Sequence, residues 1–261
     1  MKLISLNTWG GRAFAPLMKF IQNHSSDTDI FCFQEVYKSS KTEVLADNSR
    51  ANLLDDLSKA LPNYEYFFCP MGNELDLINQ YQADNLDLEI GLAVFWKKSL
   101  LVKHKGCNFV LKDQLENISI FASLAVILQQ VTFDISGKQI NIINTHGFPT
   151  PGDKLDSPIR LRQSQTTTTL LENLSGGKIL VGDFNLMPNT KSIQMIEEHM
   201  RNLISESNIE RTRSKLNPHY NKADDQKFAD YTFVSEDIKV RDFEVPNIEV
   251  SDHLPMILEF S

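Results

Sequence analysis

The sequence predicts an α+β fold in which two mixed, mainly antiparallel sheets pack face to face with helices on the outside. Segments typical of strands outnumber segments typical of helices along the 261 residues. Several neighbouring strands are joined by short turns, as in hairpins, and this pattern argues against a purely parallel sheet. Two sheets that pack on each other bury such strands, and helices cover their outer faces. No repeat or change of composition marks a linker, so we expect one domain over residues 1–261.

The first half of the chain alternates short apolar runs with segments of helical periodicity. The predicted elements are strands at residues 3–7, 29–34 and 64–69, and helices at residues 14–21 and 44–57. Glu35 directly follows the second strand. The acidic, weakly patterned stretch of residues 72–87 predicts a long loop.

The second half contains most of the predicted strands. The predicted elements are strands at residues 89–96, 100–103, 118–134, 139–145, 179–181, 229–235, 239–245 and 254–260, and helices at residues 158–174 and 190–204. Ser157 and Pro158 suit the N-cap and first position of the first helix, and Gly176 suits its end. Asn189 is a candidate cap for the second helix. Its apolar stripe, which we expect in the core, consists of Ile193, Ile196, Met200, Leu203 and Ile204.

The composition bounds the environment and the partners of the protein. No apolar run approaches the roughly 18 residues of a membrane span, and the first residues predict a strand instead of a signal peptide. Cys32, Cys69 and Cys107 lack metal-type spacing, and an odd number of cysteines without a secretion signal indicates reduced thiols in a cytoplasmic protein. The formal charge of −8 suggests a soluble monomer and argues against strong non-specific DNA binding, although it leaves room for a local basic patch.

Polar residues with matching chemistry follow the apolar strands. They are Asn7, Glu35, His146, Asp183, Asn185, Asp230, Asp252 and His253. Because strand ends that gather on one rim are where open sheets place binding sites, we expect these side chains to meet. Each residue alone has an ordinary structural explanation, such as a turn former or a solvated carboxylate. Their joint occurrence favours a functional site.

Three of these residues offer the hard oxygen ligands that Mg²⁺ or Mn²⁺ prefers. We expect Glu35, Asn7 and Asp252 to bind the metal, with water completing the coordination. Zinc is disfavoured because no His/Cys cluster has zinc-like spacing.

The remaining residues suit hydrolysis of a phosphoester. Asp183 can orient an attacking water, and Asn185 can donate a hydrogen bond to a developing oxyanion. His253 can bind a phosphate oxygen, with Asp230 fixing its tautomer and favouring its charged form. His146 is a second candidate contact to the phosphate.

Six short motifs resemble those of the endonuclease/exonuclease/phosphatase superfamily and occur in the family's order over nearly the whole chain. The motifs are Ser5-Leu6-Asn7-Thr8-Trp9, Phe33-Gln34-Glu35-Val36, Asn144-Thr145-His146, Gly182-Asp183-Phe184-Asn185, Ala229-Asp230-Tyr231-Thr232-Phe233 and Ser251-Asp252-His253. The resemblance implies a DNase I-like, four-layer α/β/β/α sandwich and metal-dependent phosphoester hydrolysis. It assigns the metal to Asn7 and Glu35, the nucleophilic water to Asp183, the phosphate to Asn185 and His146, a His-Asp pair to His253 and Asp230, and completion of the site to Asp252.

The departures from the family pattern concern substrate choice. Trp9 stands where abasic-site endonucleases carry an acidic residue, and Phe184 stands where tyrosyl-DNA phosphodiesterase 2-like enzymes show Thr. Gly147 replaces the usual Leu after the Thr-His pair, and the segment of residues 147–160 looks like one in poorly characterised bacterial members.

Basic residues provide candidates for binding the substrate. Arg12, Lys154 and Arg160 are the expected substrate-binding residues. Arg211, Arg213 and Lys215 cluster in a predicted loop, where they could meet a phosphate backbone or simply be solvated.

The sequence therefore predicts a divalent-metal-dependent phosphoester hydrolase, with a phosphodiesterase or nuclease as the first choice. The alternatives within the same fold are a phosphomonoesterase and a lipid or small-molecule phosphodiesterase, although no apolar membrane-binding segment supports a sphingomyelinase-like role. A catalytically silent module would bind phosphoesters without turnover. A serine hydrolase is disfavoured because the sequence lacks a Gly-x-Ser-x-Gly motif.

Overall fold

The computed structural model describes residues 1–71, 87–109 and 127–261, which form two six-stranded sheets and five α-helices. The strands are β1 (Lys2–Asn7), β2 (Ile30–Lys38), β3 (Tyr64–Pro70), β4 (Glu89–Lys97), β5 (Leu101–Phe109), β6 (Ile127–Ile135), β7 (Lys138–His146), β8 (Gly177–Asp183), β9 (Arg201–Asn202), β10 (Asp230–Val234), β11 (Val240–Glu244) and β12 (Met256–Phe260). The helices are α1 (Phe14–His24), α2 (Leu53–Ala60), α3 (Pro158–Asn173), α4 (Lys191–Glu197) and α5 (Leu203–Glu206), and a 3-10 turn spans Trp9–Gly11.

Each sheet contains one parallel pair of strands among antiparallel neighbours. The first sheet has the order β11-β12-β1-β2-β4-β3, and the second has the order β5-β6-β7-β8-β10-β9. The parallel pairs are β1 with β2 and β7 with β8. The prediction of two mixed, mainly antiparallel sheets is confirmed.

Successive residues of the strands point alternately into two cores. One core lies between the two sheets, and the other lies under α1 and α2. Cys32 and Trp96 of the first sheet face Phe133 of the second, with the Trp96 and Phe133 rings 5.9 Å apart. Ile4 and Phe33 point the other way and pack under the two helices. A fully buried Ile or Phe side chain contributes roughly 1.5–3 kcal/mol, so both faces of the first sheet stabilise the sandwich.

Buried amides connect the two sheets below the strand ends. Gln34 Nε2 donates to Asn144 Oδ1 at 2.6 Å, and Asn144 Nδ2 donates to Gln129 Oε1 at 3.1 Å. Gln129 Nε2 then donates to the Phe67 carbonyl oxygen at 2.6 Å. Because a buried amide is costly without partners, these bonds favour one register of the two sheets.

Several element boundaries differ from the prediction. The helix expected over residues 44–57 begins only at Leu53, because Val44 instead forms an isolated bridge with Arg50. The helix expected over residues 190–204 is divided into α4, β9 and α5, and its N-cap is Thr190 instead of Asn189. The five residues of its predicted apolar stripe are nevertheless all in the core. The predicted loop at residues 72–87, except Asp87, and the first part of the strand predicted at residue 118 lie outside the described residues.

A disulfide joins Cys69 of β3 to Cys107 of β5, with their Cα atoms 6.1 Å apart. The expectation of three reduced thiols is therefore wrong for this pair, and the cysteine argument for a cytoplasmic location falls with it. The physical reason is tertiary, since β3 and β5 are edge strands of different sheets that the sandwich brings together. Cys32 is a free thiol, as expected, and it is buried in the core, where burial raises its pKa. Among the described helices, none combines the length and apolarity needed to cross a membrane.

The disulfide is testable by mass spectrometry without reduction. We expect denatured, unreduced protein to alkylate only at Cys32 and to yield a peptide pair linked through Cys69 and Cys107. Prior reduction should expose all three thiols. Alkylation of Cys69 and Cys107 in the unreduced sample would contradict the pairing.

Gly182 permits the close approach of β8 to β7. Its φ is +139°, and a Cβ there would lie 2.0 Å from the Thr145 carbonyl oxygen. We expect Gly182→Ala to lower the free energy of unfolding by about 2–4 kcal/mol, because strain and overlap with the backbone add. Chemical denaturation measures this loss. Gly152→Ala is the control, because a Cβ at Gly152 meets nothing within 4 Å; equal stability of the two variants would refute the steric argument.

Candidate active site

The carboxyl ends of the parallel strand pairs meet at one rim of the sandwich. β1 and β2 contact β7 and β8 across the inter-sheet core. This packing brings together Asn7, Glu35, His146 and Asp183, although they come from distant parts of the chain. The same rim receives Asp230 from the start of β10 and His253 from the turn before β12.

Glu35 reaches the rim through a bulge in β2. The sequence suggested that Glu35 follows the strand, but β2 continues to Lys38, and its pairing with β4 shifts between Phe33 and Val36. Glu35 has a φ of +53°, and the Thr8 hydroxyl donates to its carbonyl oxygen at 3.0 Å. A bulge re-aims a side chain that regular alternation would otherwise point into the helical layer.

Asp183 lies at the centre of the rim with its side chain 2% exposed. Its Oδ2 accepts a hydrogen bond from Asn7 Nδ2 at 3.1 Å and lies 3.6 Å from His146 Nε2 and 3.5 Å from His253 Nε2. Its Oδ1 accepts from the backbone N–H of Asn185 at 2.8 Å. Both oxygens are therefore held by neighbours from other elements.

The charges around Asp183 keep it ionised. Burial by itself raises the pKa of a carboxyl, because it penalises the charged form. The neighbours that oppose this effect, in order of size, are His253, His146, Lys154 and Arg213. They outweigh burial and hold the pKa of Asp183 well below its ordinary value.

His253 is fixed by a carboxylate on the far side of its ring. Its Nδ1 lies 2.8 and 2.9 Å from the two oxygens of Asp230, so its Nε2 faces Asp183. Burial and Arg213 lower the pKa of His253, but the carboxylates of Asp230, Asp252 and Asp183 outweigh them and raise it above the ordinary value. This pairing is the geometry expected for an imidazole that works in its charged form.

Arg213 belongs to the site, although the sequence placed it only among loop residues that were either phosphate contacts or solvated. Its side chain is 11% exposed, and Nη1 lies 2.9 Å from Asp252 Oδ2 and 2.5 Å from His253 Nε2. An isolated bridge between Arg213 and His253 aligns the two residues. The sequence did not predict the contact between Arg213 and His253, because these residues are 40 positions apart in the chain.

Two of the predicted metal ligands, Asn7 and Asp252, have hydrogen-bond partners within the protein. The Asn7 oxygen accepts the backbone N–H of Trp9 at 3.0 Å, so its amide nitrogen faces the carboxylates and donates to Glu35 Oε1 at 2.9 Å. Asn7 therefore holds Glu35 and Asp183 in place, and its role as a metal ligand stays a prediction. Asp252 is paired with Arg213, which already occupies its Oδ2.

Two overlapping sets of side chains in the described ranges could hold a metal ion. The first is Glu35, His146 and Asp183, and the second is Asp183, Asp230 and His253; within each set the donor atoms lie within 4.8 Å of one another. In the second set Asp230 is already bonded to His253. The first set fits a divalent ion better, because the Glu35 side chain is 27% exposed and water can complete the coordination.

Asn185 and Lys154 form the opposite side of the site. Asn185 Nδ2 donates to the Gly147 carbonyl oxygen at 3.1 Å, and the Lys154 ammonium donates to Asn185 Oδ1. Gly147 itself packs on the backbone, since a Cβ there would lie 2.1 Å from the Phe184 carbonyl oxygen. This close approach gives a steric reason for glycine where the family usually has leucine.

The other two predicted substrate residues have structural partners. Arg160 is 0% exposed, and its guanidinium donates to backbone carbonyls between α3 and β7, so the expected direct contact with substrate is not supported. Arg12 pairs with Asp47 and lies over the Trp9 ring at 5.1 Å from its centroid. Of the three residues, Lys154 is the one with a hydrogen bond to a predicted site residue, Asn185, in the described ranges.

Comparisons with known proteins match this chain to a family. The family model described as Endonuclease/Exonuclease/phosphatase family matches residues 4–253. None of the curated protein sequences matches the chain.

Solved structures share the fold at low sequence identity. A family protein from Leptotrichia buccalis is 18% identical with a TM-score of 0.71, covering 100% of this chain and 99% of its own. A mannosyl-6-phosphatase from Bacteroides thetaiotaomicron is 17% identical with a TM-score of 0.69 and the same coverage. D. rerio TDP2, complexed with a single-strand DNA product, is 14% identical with a TM-score of 0.71, covering 100% of this chain and 98% of its own.

The similar structures confirm the DNase I-like sandwich. Because the family model spans nearly the whole chain, from the first strand to the histidine of the rim, the protein belongs to the endonuclease/exonuclease/phosphatase family.

Proposed function

We propose that this protein is a divalent-metal-dependent phosphoester hydrolase. We further propose that its preferred substrates are phosphodiesters, a class that includes nucleic acids. The observation that carries the proposal is the buried Asp183 carboxylate, 3.5 Å from an imidazole whose other nitrogen is paired with Asp230. Family membership and the phosphoester chemistry named for similar structures support it.

The proposed reaction is in-line attack of water on phosphorus. Asp183 accepts a hydrogen bond from the water and orients it; its low pKa makes it a weak base, so positioning is its main contribution. A divalent ion held by Glu35 with Asp183 and His146 would neutralise charge on the phosphate and on the leaving oxygen.

Two cationic groups face the expected phosphate from the other side. Arg213 Nη1 and His253 Nε2 lie 2.5 Å apart, which is too close for two N–H donors when His253 is charged. A phosphate oxygen near both groups would accept a hydrogen bond from each. Asn185 supplies an amide that can stabilise the developing negative charge.

A phosphomonoester is the second candidate substrate. The similar mannosyl-6-phosphatase favours it, and so does the formal charge of −8, which disfavours a long polyanion. Steep salt dependence of DNA binding would favour the nuclease.

The substrate class can be determined with a panel assay. The panel is a generic phosphodiester, single-stranded and duplex DNA, RNA and a set of phosphomonoesters including hexose 6-phosphates, each with Mg²⁺, Mn²⁺ or EDTA. EDTA-sensitive turnover supports the proposal. The preferred substrate then shows whether the protein is a nuclease, another phosphodiesterase or a phosphomonoesterase. Binding of metal and phosphate without turnover on any member would favour the catalytically silent module.

We expect Asp183→Ala and His253→Ala each to lower kcat by about 10²-fold or more, on the scale of losing an acid/base or electrostatic group. Steady-state kinetics on the best substrate measures the effect, with unfolding curves to show that each variant is folded. Asp27→Ala, which removes an exposed carboxylate, is the control. Full activity in either folded site variant would remove that residue from the mechanism.

We expect Glu35→Ala to weaken metal binding, because it removes the most exposed carboxylate of the metal set. The Mg²⁺ concentration for half-maximal activity should rise by about tenfold or more, and calorimetric titration should show the same loss of affinity. Glu249→Ala, at an exposed carboxylate paired with Lys215, should leave both values unchanged. An unaltered metal requirement in Glu35→Ala would exclude Glu35 as a ligand.

A further inference from the structure

Lys154 is a buried cation that forms no ion pair among the described residues. It lies between β7 and α3, it is 6% exposed, and its φ of +57° is uncommon for a residue other than glycine. Lysine is almost never this buried unless it is paired. In the described part of the chain, its ammonium donates one hydrogen bond, to the neutral oxygen of Asn185. An ammonium has three donors, so this group still has donors available for an anion.

The surroundings of Lys154 place that available charge in the active site. Burial and the nearby Arg213 lower the pKa of Lys154 to about 8, whereas Asp183 and Asp230 raise it. No carboxylate of the described residues lies within ion-pair distance of its ammonium. A buried, unpaired charge is costly and is retained where a ligand pairs with it.

Arg160 fixes the segment that carries Lys154. Its Nη1 donates to the Leu155 carbonyl at 2.6 Å and to Asp153 Oδ1 at 3.3 Å. Nη2 donates to the carbonyls of Pro149 at 3.2 Å and Pro151 at 2.6 Å, and Nε donates to that of Phe148 at 3.1 Å. Met187 N–H, just beyond Asn185, donates to the Lys154 carbonyl at 2.8 Å. The backbone on both sides of Lys154 is thereby anchored.

We propose that Lys154 binds a non-bridging oxygen of the substrate phosphate, beside Asn185, and that Arg160 is the positioning residue that delivers it. The inference rests on the proposed phosphoester hydrolysis. A phosphoryl group brings the negative charge and the acceptors that this ammonium lacks, and charge-assisted hydrogen bonds of this kind are the strong ones. The strained backbone at Lys154 fits a residue held for binding instead of for packing.

The first test is Lys154→Met, which keeps an unbranched side chain of similar length and removes its charge. We expect kcat/KM on the best substrate, and the affinity for inorganic phosphate in Mg²⁺ measured by calorimetry, each to fall by about 10- to 100-fold. Lys59→Met is the control, because it removes the same charge from a side chain that is 70% exposed. It should change neither value, and unfolding curves should show both variants folded. Wild-type values in folded Lys154→Met would overturn the inference.

The second test separates positioning by Arg160 from a purely structural role. Arg160→Lys keeps the charge but loses the planar set of donors. We expect it to lower phosphate affinity in the wild-type background and to have little further effect in the Lys154→Met background. An equal loss in both backgrounds would overturn the positioning role. If Arg160→Lys does not fold, Asp153→Asn replaces it in the same comparison of the two backgrounds. This substitution perturbs one hydrogen bond of Arg160, at the protein surface.

Phosphate binding distinguishes failure of this inference from failure of the proposed function. If the wild type hydrolyses nothing but binds phosphate, and Lys154→Met binds it more weakly, the hydrolase proposal fails and the Lys154 site stands. If the wild type hydrolyses phosphoesters and Lys154→Met matches it in both measurements, only the Lys154 inference fails. A wild type that neither hydrolyses phosphoesters nor binds phosphate would overturn both.

Discussion

The buried charge of Asp183 is the constraint on which the rest of the site depends. A carboxylate with 2% exposure loses its hydration and must regain that free energy from hydrogen bonds and opposite charges. Its partners come from both sheets and from three connecting segments: Asn7, His146, His253, Lys154 and Arg213. Because no local stretch of chain can supply them, correct packing of the sandwich and assembly of the site are one event.

The rim also contains several residues with unusual backbone angles. Trp9, Glu35, Lys154 and Asn185 all have left-handed backbone angles, with φ between 52° and 57°. Each is next to or within the site, and together they are half of the eight non-glycine residues with positive φ in the described ranges. Strained positions persist only where their surroundings determine them. Here the Thr8 hydroxyl, the Arg160 guanidinium and the Asp183 carboxylate provide that support.

The two arginines show how the same residue type serves opposite purposes. Arg160 looked like a ligand for substrate, but its hydrogen bonds go to backbone carbonyls inside the protein. Arg213 looked like one of several loop cations, but it contacts Asp252 and His253. A planar guanidinium with five donors suits both tasks. Only the acceptors that the fold places around it decide between them.

The sequence by itself determined the fold class and the identity of the rim residues. Apolar periodicity marks most strands and helices. Polar residues such as Asp183 and His146 stand where the apolar runs of the strands end, and this position marks them as rim residues. Tertiary structure alone decided the bulge that aims Glu35, the Cys69–Cys107 pairing and the recruitment of Arg213. These features arise from contacts between segments that are distant in the chain, and no local pattern of residues encodes such contacts.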